Sequence, residues 1–267
     1  MYKDIPREII FQASALVISI IFVHLVYITT IRPNADALLE AEFERAQSGE
    51  SFVQERSLYV VLRDYEQESC FILMFWAIAI MGFKMKEAIK QRNLLRSDLI
   101  NIPEGMSILP EDSRDFTRPI QALTEEQRES LLPKALASAL HRFQSTQNIQ
   151  DVSEAVKSVC DSESDRLDSE LAMIRYIAWA IPSIGFIGTV RGIGDALSQA
   201  YKAVEGDIAG VTTSLGVAFN STFIALVISI LLMFLMHQLQ LIQERLVLDT
   251  QSYCDQRLIR HLQVRRL

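Results

Sequence analysis

Residues 9–31, IIFQASALVISIIFVHLVYITTI, are 23 consecutive positions without Asp, Glu, Lys or Arg. A helix that rises about 1.5 Å per residue spans about 34 Å over this length, and the hydrocarbon core of a bilayer is about 30 Å thick. Residues 208–236 are a second uncharged stretch of 29 positions. Both exceed the roughly 18 residues that indicate a transmembrane helix, which disfavours the alternative of buried helices in a soluble protein.

Two shorter apolar blocks lie between these stretches. Residues 69–83 are followed by Lys84 and Lys86, whose long side chains can reach a membrane interface. Residues 176–190 are uncharged and are bounded on both sides by arginine. The sequence therefore predicts an all-α integral membrane protein with four transmembrane helices.

Basic residues orient these helices. They cluster in segment 84–96 and in the tail, whereas segment 32–68 has nine acids, four arginines and no lysine. The positive-inside rule therefore places both termini in the cytoplasm. The predicted order is a cytoplasmic N-terminus 1–8, span one 9–31, an outer helical segment 32–68, span two 69–86, a cytoplasmic helical region 87–170, span three 171–197, an outer turn 198–207, span four 208–236 and a cytoplasmic C-terminal helix 237–267.

Helix signals continue outside the membrane. Thr124 and Gln127 fit a capping box, and a second one is predicted from Asp151 to Glu154. Pro133 interrupts the first of these helices, so its first turns are expected to be separate. Helical spacing also persists to about residue 262, so we expect spans three and four to extend into a cytoplasmic helical bundle.

Composition excludes several functional classes. The formal net charge of −7 argues against a general nucleic-acid binder, and the three scattered cysteines give neither a disulfide framework nor a zinc spacing. The chain has no Walker loop, no HExxH motif and no defensible nucleophile–base arrangement. We therefore predict that it is not an enzyme and that it holds no metal or cofactor.

Two threonines lie at one predicted depth in the membrane. Counted from the inner edges of their antiparallel spans, Thr189 lies about 18 Å up and Thr222 about 21 Å up. Asn220 adds polarity at this level. We predict that these residues line a polar path, although a membrane threonine commonly bonds only to its own helix.

Span three is expected to pack closely against another helix. Pro182 frees a backbone carbonyl and permits a kink. Gly185, Gly188 and Gly192 leave one helix face nearly free of side chains, which ordinary helix packing would also explain.

Charged groups are predicted only at the border of this span. Arg191 and Asp195 are four residues apart and can pair at the outer mouth or simply reach the interface. The four uncharged blocks contain no Asp or Glu, and His24 is the only titratable group in their membrane core, with interhelical hydrogen bonding as its plainer role. A protein that relays protons through its own spans needs a carboxylate there, so we expect a partner to supply it.

The string IPSIGFIGTVRGIGDAL, residues 181–197, resembles the signature of the MotA/TolQ/ExbB proton channel family. The matching positions are Pro182, Gly185, Gly188, Thr189, Val190, Gly192 and Ile193. Residues 211–232 look like the family's last span, with Thr222 in place of its pore-facing threonine. Arg191 stands where the family commonly has Trp, which puts the electrostatics of the outer mouth and the choice of partner in question.

The resemblance implies a pentamer of this chain around two one-span subunits of the MotB/ExbD/TolR kind, each with one membrane Asp. The complex would lie in a bacterial inner membrane and couple ion flow to work on a partner. The resemblance also implies that its cytoplasmic helices contact an effector protein. A membrane scaffold with the same fold that does not conduct is the alternative. The choice between H⁺ and Na⁺ and the driven process stay open, although the family leans to H⁺.

Overall fold

The computed structural model describes residues 7–47, 57–97, 99–100, 102–103, 106–204 and 208–264. Over these residues the chain is almost entirely helical, and they contain no β-strand beyond one isolated bridge between Ile108 and Leu262. This confirms the all-α class.

The helices follow one another along the chain. They are α1 (Arg7–Val26), α2 (Arg32–Gln47), α3 (Leu58–Leu62), α4 (Tyr65–Arg96), α5 (Ser113–Gln121), α6 (Glu125–Arg128), α7 (Leu131–Thr146), α8 (Ile149–Glu170), α9 (Ala172–Ser198), α10 (Ala200–Val204) and α11 (Ala209–Tyr253). A π-helical turn at Cys254–Leu258 and a short 3₁₀ turn at Ile259–His261 follow α11.

Among the described residues, four helical stretches are long and apolar enough to cross a membrane. They are Glu8–Ala41, Tyr65–Arg96, Ile149–Ser198 and Gly210–His261. Each covers one of the four predicted spans, the fourth except for its first two residues, which confirms their number and order. The cytoplasmic placement of the helical bundle and the exact domain boundaries stay predictions.

The helix of span one does not stop at residue 31. A π-helical turn at Tyr27–Ile31 connects α1 directly to α2, which runs on to Gln47. Pro33 lies just beyond this turn, lacks a backbone N–H and crowds the carbonyl of Thr29 four residues earlier. A locally widened turn absorbs that crowding while the helix continues.

The helix of span two begins earlier than the uncharged block. α4 starts at Tyr65, so Glu66 and Glu68 lie in its first turn. An acidic first turn suits the positive end of the helix dipole. The charge-free block 69–83 is therefore shorter than the helix, because the charged residues that precede it are also helical.

Contacts divide the chain into two compact units, residues 1–82 with 173–236 and residues 83–172 with 237–267. The first unit holds the first part of α4, nearly all of α9 and the first part of α11, together with α1 and α2. The second unit has its own apolar core on α7, α8 and the end of the chain. Its fully buried members include Leu136, Phe143, Val152 and Cys254.

Local signals in the second unit are partly confirmed. Thr124 and Gln127 form the expected capping box before α6, and α7 begins separately at Leu131 with Pro133 in its first turn. The capping box at Asp151 is wrong, because α8 begins earlier and is capped by Asn148, whose side chain accepts a hydrogen bond from Gln150 N at 3.0 Å. Gln147 ends α7 with a left-handed φ of 52°, which places Asn148 directly before the next helix.

Lys84 does not extend to a surface. Its side chain is 2% exposed, and Nζ lies 2.7 Å from Glu170 Oε2 within the second unit. Glu170 also pairs with Arg166 at 2.6 Å. A buried ammonium needs such a partner, because an unpaired charge away from water is strongly unfavourable.

Candidate functional site

Three glycines let α9 approach α11 closely. A Cβ on Gly185 would lie 2.5 Å from Ala225 Cβ, and one on Gly192 would lie 2.7 Å from the backbone N of Ala218. Real Cβ contacts are not that short, so any side chain at these positions would push the helices apart. The glycine face therefore packs against small residues of α11, a partner that the sequence did not specify.

The third glycine brings α4 to the same contact. A Cβ on Gly188 would lie 2.5 Å from Ser221 Cβ and 3.1 Å from Glu66 Cγ. Gln67, which is fully buried, donates from Nε2 to Ser221 Oγ at 3.4 Å. The first turn of α4 thus packs beside the contact between α9 and α11.

Thr189 and Thr222 meet across the two helices. Their hydroxyl oxygens are hydrogen bonded to each other. Thr189 Oγ1 also donates to Ala218 O at 3.0 Å, and Thr222 Oγ1 to Gly185 O at 3.1 Å. The shared depth expected from counting residues is therefore a direct contact between half-buried side chains.

The threonine pair has more contacts than protons. Thr189 Oγ1 also lies 3.4 Å from Gly185 O, so the pair has its mutual contact and three contacts to carbonyls. Each hydroxyl carries one hydrogen and two lone pairs, so only two of these four contacts hold a hydrogen at any moment. The hydroxyls can exchange partners by rotating alone. Such a pair also keeps lone pairs with which to accept a further hydrogen bond.

Pro182 lies inside α9 and removes a donor from the helix. Its missing N–H leaves the carbonyl of Ala178, four residues earlier, without a helical partner. Ser229 of α11 supplies the replacement, since its Oγ donates to Ala178 O at 3.0 Å. The freed carbonyl was predicted from the sequence, but its partner was not.

Asn220, the third residue predicted to line the polar path, is half-buried on α11, two residues before Thr222.

Arg191 has a nearer partner than Asp195. Its Nε donates to Glu66 Oε1 at 2.7 Å and its Nη2 to Glu66 Oε2 at 2.8 Å. Asp64 lies 3.6 Å away and Asp195 3.9 Å away. The predicted pair with Asp195 is thus the outermost part of a larger cluster, which joins α9 to the start of α4.

Asp64, which lies just before α4, is the member of this cluster whose pKa burial raises. The nearby Arg191 guanidinium opposes that rise in the pKa of the Asp64 carboxyl. The ion pair with Arg191 therefore favours the charged form of a carboxylate that its surroundings would otherwise tend to neutralise.

A second acidic residue of α4 contacts the first membrane helix. Glu68 is 7% exposed; its Oε1 lies 2.6 Å from His24 Nδ1, and Oε2 accepts from Arg32. His24 therefore has an interhelical contact, which agrees with its plainer predicted role. Sequence reasoning missed Glu66 and Glu68. The available signal was the Glu-Gln-Glu string directly before an apolar block, with arginines elsewhere to pair with it.

Comparison with known proteins covers the part of the chain that carries the threonine pair. Residues 125–252 match the MotA/TolQ/ExbB proton channel family. The matched segment includes the threonine pair, the glycines and Pro182. No curated protein and no solved structure is significantly similar to the chain.

Proposed function

Because residues 125–252 belong to the MotA/TolQ/ExbB proton channel family, we propose that this multi-pass membrane protein is the A-type subunit of an ion-driven rotary motor or stator. Five copies form a ring around two one-span subunits, and the complex couples ion flow to mechanical work. It lies in a bacterial inner membrane with both termini cytoplasmic. Proteins of this family transduce energy and are not enzymes.

The hydroxyl contact between Thr189 and Thr222 supports this proposal most directly. It lies inside the family-matched segment, on two helices that each can cross a membrane. Rotatable hydroxyls can pass hydrogen bonds to an arriving ion or protonated carboxyl without a change of backbone. Asn220 extends this polar strip along α11.

The carboxylates at the start of α4 do not provide the ion carrier in this scheme. Glu66 is held by Arg191, and Glu68 by Arg32 and His24, so their charges are already paired. Proton uptake at either would have to break an ion pair. A membrane Asp on the one-span partner therefore remains the proposed carrier.

The surface that moves against the partner differs from the glycine contact within the subunit. An ion that crosses the membrane releases about 2.3 kcal/mol per 100 mV. An apolar wall without strong contacts to the partner lets this modest energy drive rotation. Within the subunit, by contrast, Gly185, Gly188 and Gly192 hold α9 firmly on α11.

The test is a double substitution, Thr189→Val with Thr222→Val. Val keeps the branched shape and removes both hydroxyls, so we expect loss of at least about tenfold in ion-driven proton uptake while the complex still assembles. The double Ser variant keeps the hydroxyls and should retain uptake. Thr29→Val is a matched control, because Thr29 is an exposed membrane threonine that bonds only within α1 and the turn after it, to Leu25 O and Thr30.

Full proton uptake by an assembled Val double variant would contradict the proposed path. Loss of assembly in both the Val and the Ser variants would instead indicate a packing role. Repeating the assay with Na⁺ in place of a proton gradient distinguishes the two ions.

A non-conducting scaffold is the second candidate, and the positive charge of Arg191 beside the threonine pair is the observation that favours it. Co-purification decides between the two. A one-span partner with a single membrane acid supports the motor, and a stable complex without such a partner supports the scaffold.

A further inference from the structure

Arg191 carries a positive charge next to the proposed ion path. It lies two residues beyond Thr189 on α9, or about 3 Å along the helix axis. Its side chain is 42% exposed, so the charge is only partly hydrated. An unpaired guanidinium at this place would repel an entering cation, and the weakly screened surroundings would strengthen that repulsion.

Three carboxylates surround this guanidinium. Glu66 binds it through two parallel hydrogen bonds at 2.7 and 2.8 Å, which is the strongest geometry for this pair. Asp64 and Asp195 lie within 3.9 Å. One positive and three negative charges give the cluster a net charge of −2 when all four groups are ionised.

Glu66 is placed to act on the path and not only on Arg191. Its Cγ lies 3.1 Å from the position that a Cβ of Gly188 would take, and Gly188 directly precedes Thr189. The Glu66 side chain is 11% exposed, so its position is well defined by packing. The Glu66 side chain therefore packs against the glycine face of α9 at Gly188, while its carboxylate binds Arg191.

We propose that Glu66 is a positioning residue that neutralises Arg191, holds its guanidinium and keeps the outer end of the ion path attractive to cations. This rests on the proposed function, since it assigns a role in ion entry. Asp64 and Asp195 supply the surplus negative charge. The arginine of the signature helix is thereby compatible with a cation path.

The local potential can be measured apart from any transport. Gly194 is exposed, lies one helical turn beyond Arg191, and a Cβ there would contact nothing within 4 Å. In a Gly194→Cys background, the rates of modification by trimethylammonioethyl and sulfonatoethyl methanethiosulfonate are compared on the purified full-length complex. Cys70, Cys160 and Cys254 are buried, and the parent protein gives their background.

The ratio of the two modification rates distinguishes a change of charge from a change of accessibility. A change of access alters both reagents alike, whereas a change of charge alters them in opposite directions. Glu66→Gln takes the cluster from −2 to −1, so we expect the cationic-to-anionic ratio to fall about threefold. Arg191→Gln should raise it by a similar factor, and the double variant should return it to the parent value.

Glu8→Gln is the matched control. Glu8 lies at the opposite end of α1 from His24, which contacts Glu68, so its removal should leave the ratio unchanged. An unchanged ratio in Glu66→Gln would overturn the proposal. Equal shifts of the same sign in both single variants would overturn it too, because they would indicate a structural clamp.

Proton uptake by the same variants tests the effect on ion entry. Glu66→Gln should slow uptake about tenfold. Uptake in the double variant should exceed that in Glu66→Gln. Parental uptake by Glu66→Gln would overturn the role in ion entry. A parent complex that takes up no protons would instead contradict the proposed function, and the modification ratio would still report the charge.

Discussion

Single residues fix how closely α9 and α11 pack. Gly185 and Gly192 face backbone or Cβ atoms at distances that leave no room for a side chain. Ser229 completes the contact by donating to the carbonyl that Pro182 leaves free. The sequence predicted the small face and the freed carbonyl. It did not predict Ser229, because a serine in an apolar helix has many alternative acceptors.

Gly192→Ala is expected to destabilise the protein by about 1–3 kcal/mol, since the new methyl group would meet backbone atoms of Ala218 and Ser214 at 2.7 Å. Gly194→Ala on the same helix meets nothing within 4 Å and should be neutral or slightly stabilising. Thermal unfolding in detergent measures both. Equal effects of the two substitutions would show that close packing at Gly192 is unimportant.

At the scale of helices, the apolar pattern predicted the four spans but not where α4 begins. Uncharged length locates a helix within the membrane, whereas its end depends on partners that come from distant sequence. Glu66 and Glu68 can be helical and buried because Arg191 and Arg32 pair with them. Such long-range pairs leave no periodic signal, so the part of the site formed by the start of α4 could not be predicted.

The second half of α4 offers a comparison of two lysines. Lys84 is 2% exposed in its pair with Glu170, and Lys90 is 50% exposed in its pair with Glu126. Lys84→Ala should cost about 2 kcal/mol or more, because it removes a buried pair and the packing of the side-chain stem. Lys90→Ala should cost less than about 1 kcal/mol.

Chemical or thermal unfolding of the two lysine variants provides the measurement. A Lys84→Ala variant as stable as Lys90→Ala would mean that burial of the ion pair adds nothing. Glu163→Ala is a further reference variant for an exposed ion pair, because the partner of Glu163 on α8, Arg166, is 49% exposed.

At the scale of the whole molecule, family and fold were predictable from one motif and four apolar blocks. The motif is informative because proline, glycine and threonine at fixed spacing on one helix meet specific steric and hydrogen-bonding needs, which the structure displays. The surfaces of the single chain do not distinguish contacts with lipid from contacts with other subunits. Many apolar side chains of α1, α9 and α11 are exposed on the single chain, among them Ile18, Phe186 and Phe223. Lipid and neighbouring subunits can both cover such surfaces.

The central claim is that this chain forms a ring and relies on a second polypeptide for the ion-carrying acid. Native mass spectrometry of the detergent-purified complex, co-expressed with its neighbouring genes, tests it most directly. The account predicts five copies of this chain with two copies of a one-span protein that has a single membrane Asp. A monomer of this chain, or a ring that transports cations in liposomes without any partner, would contradict it.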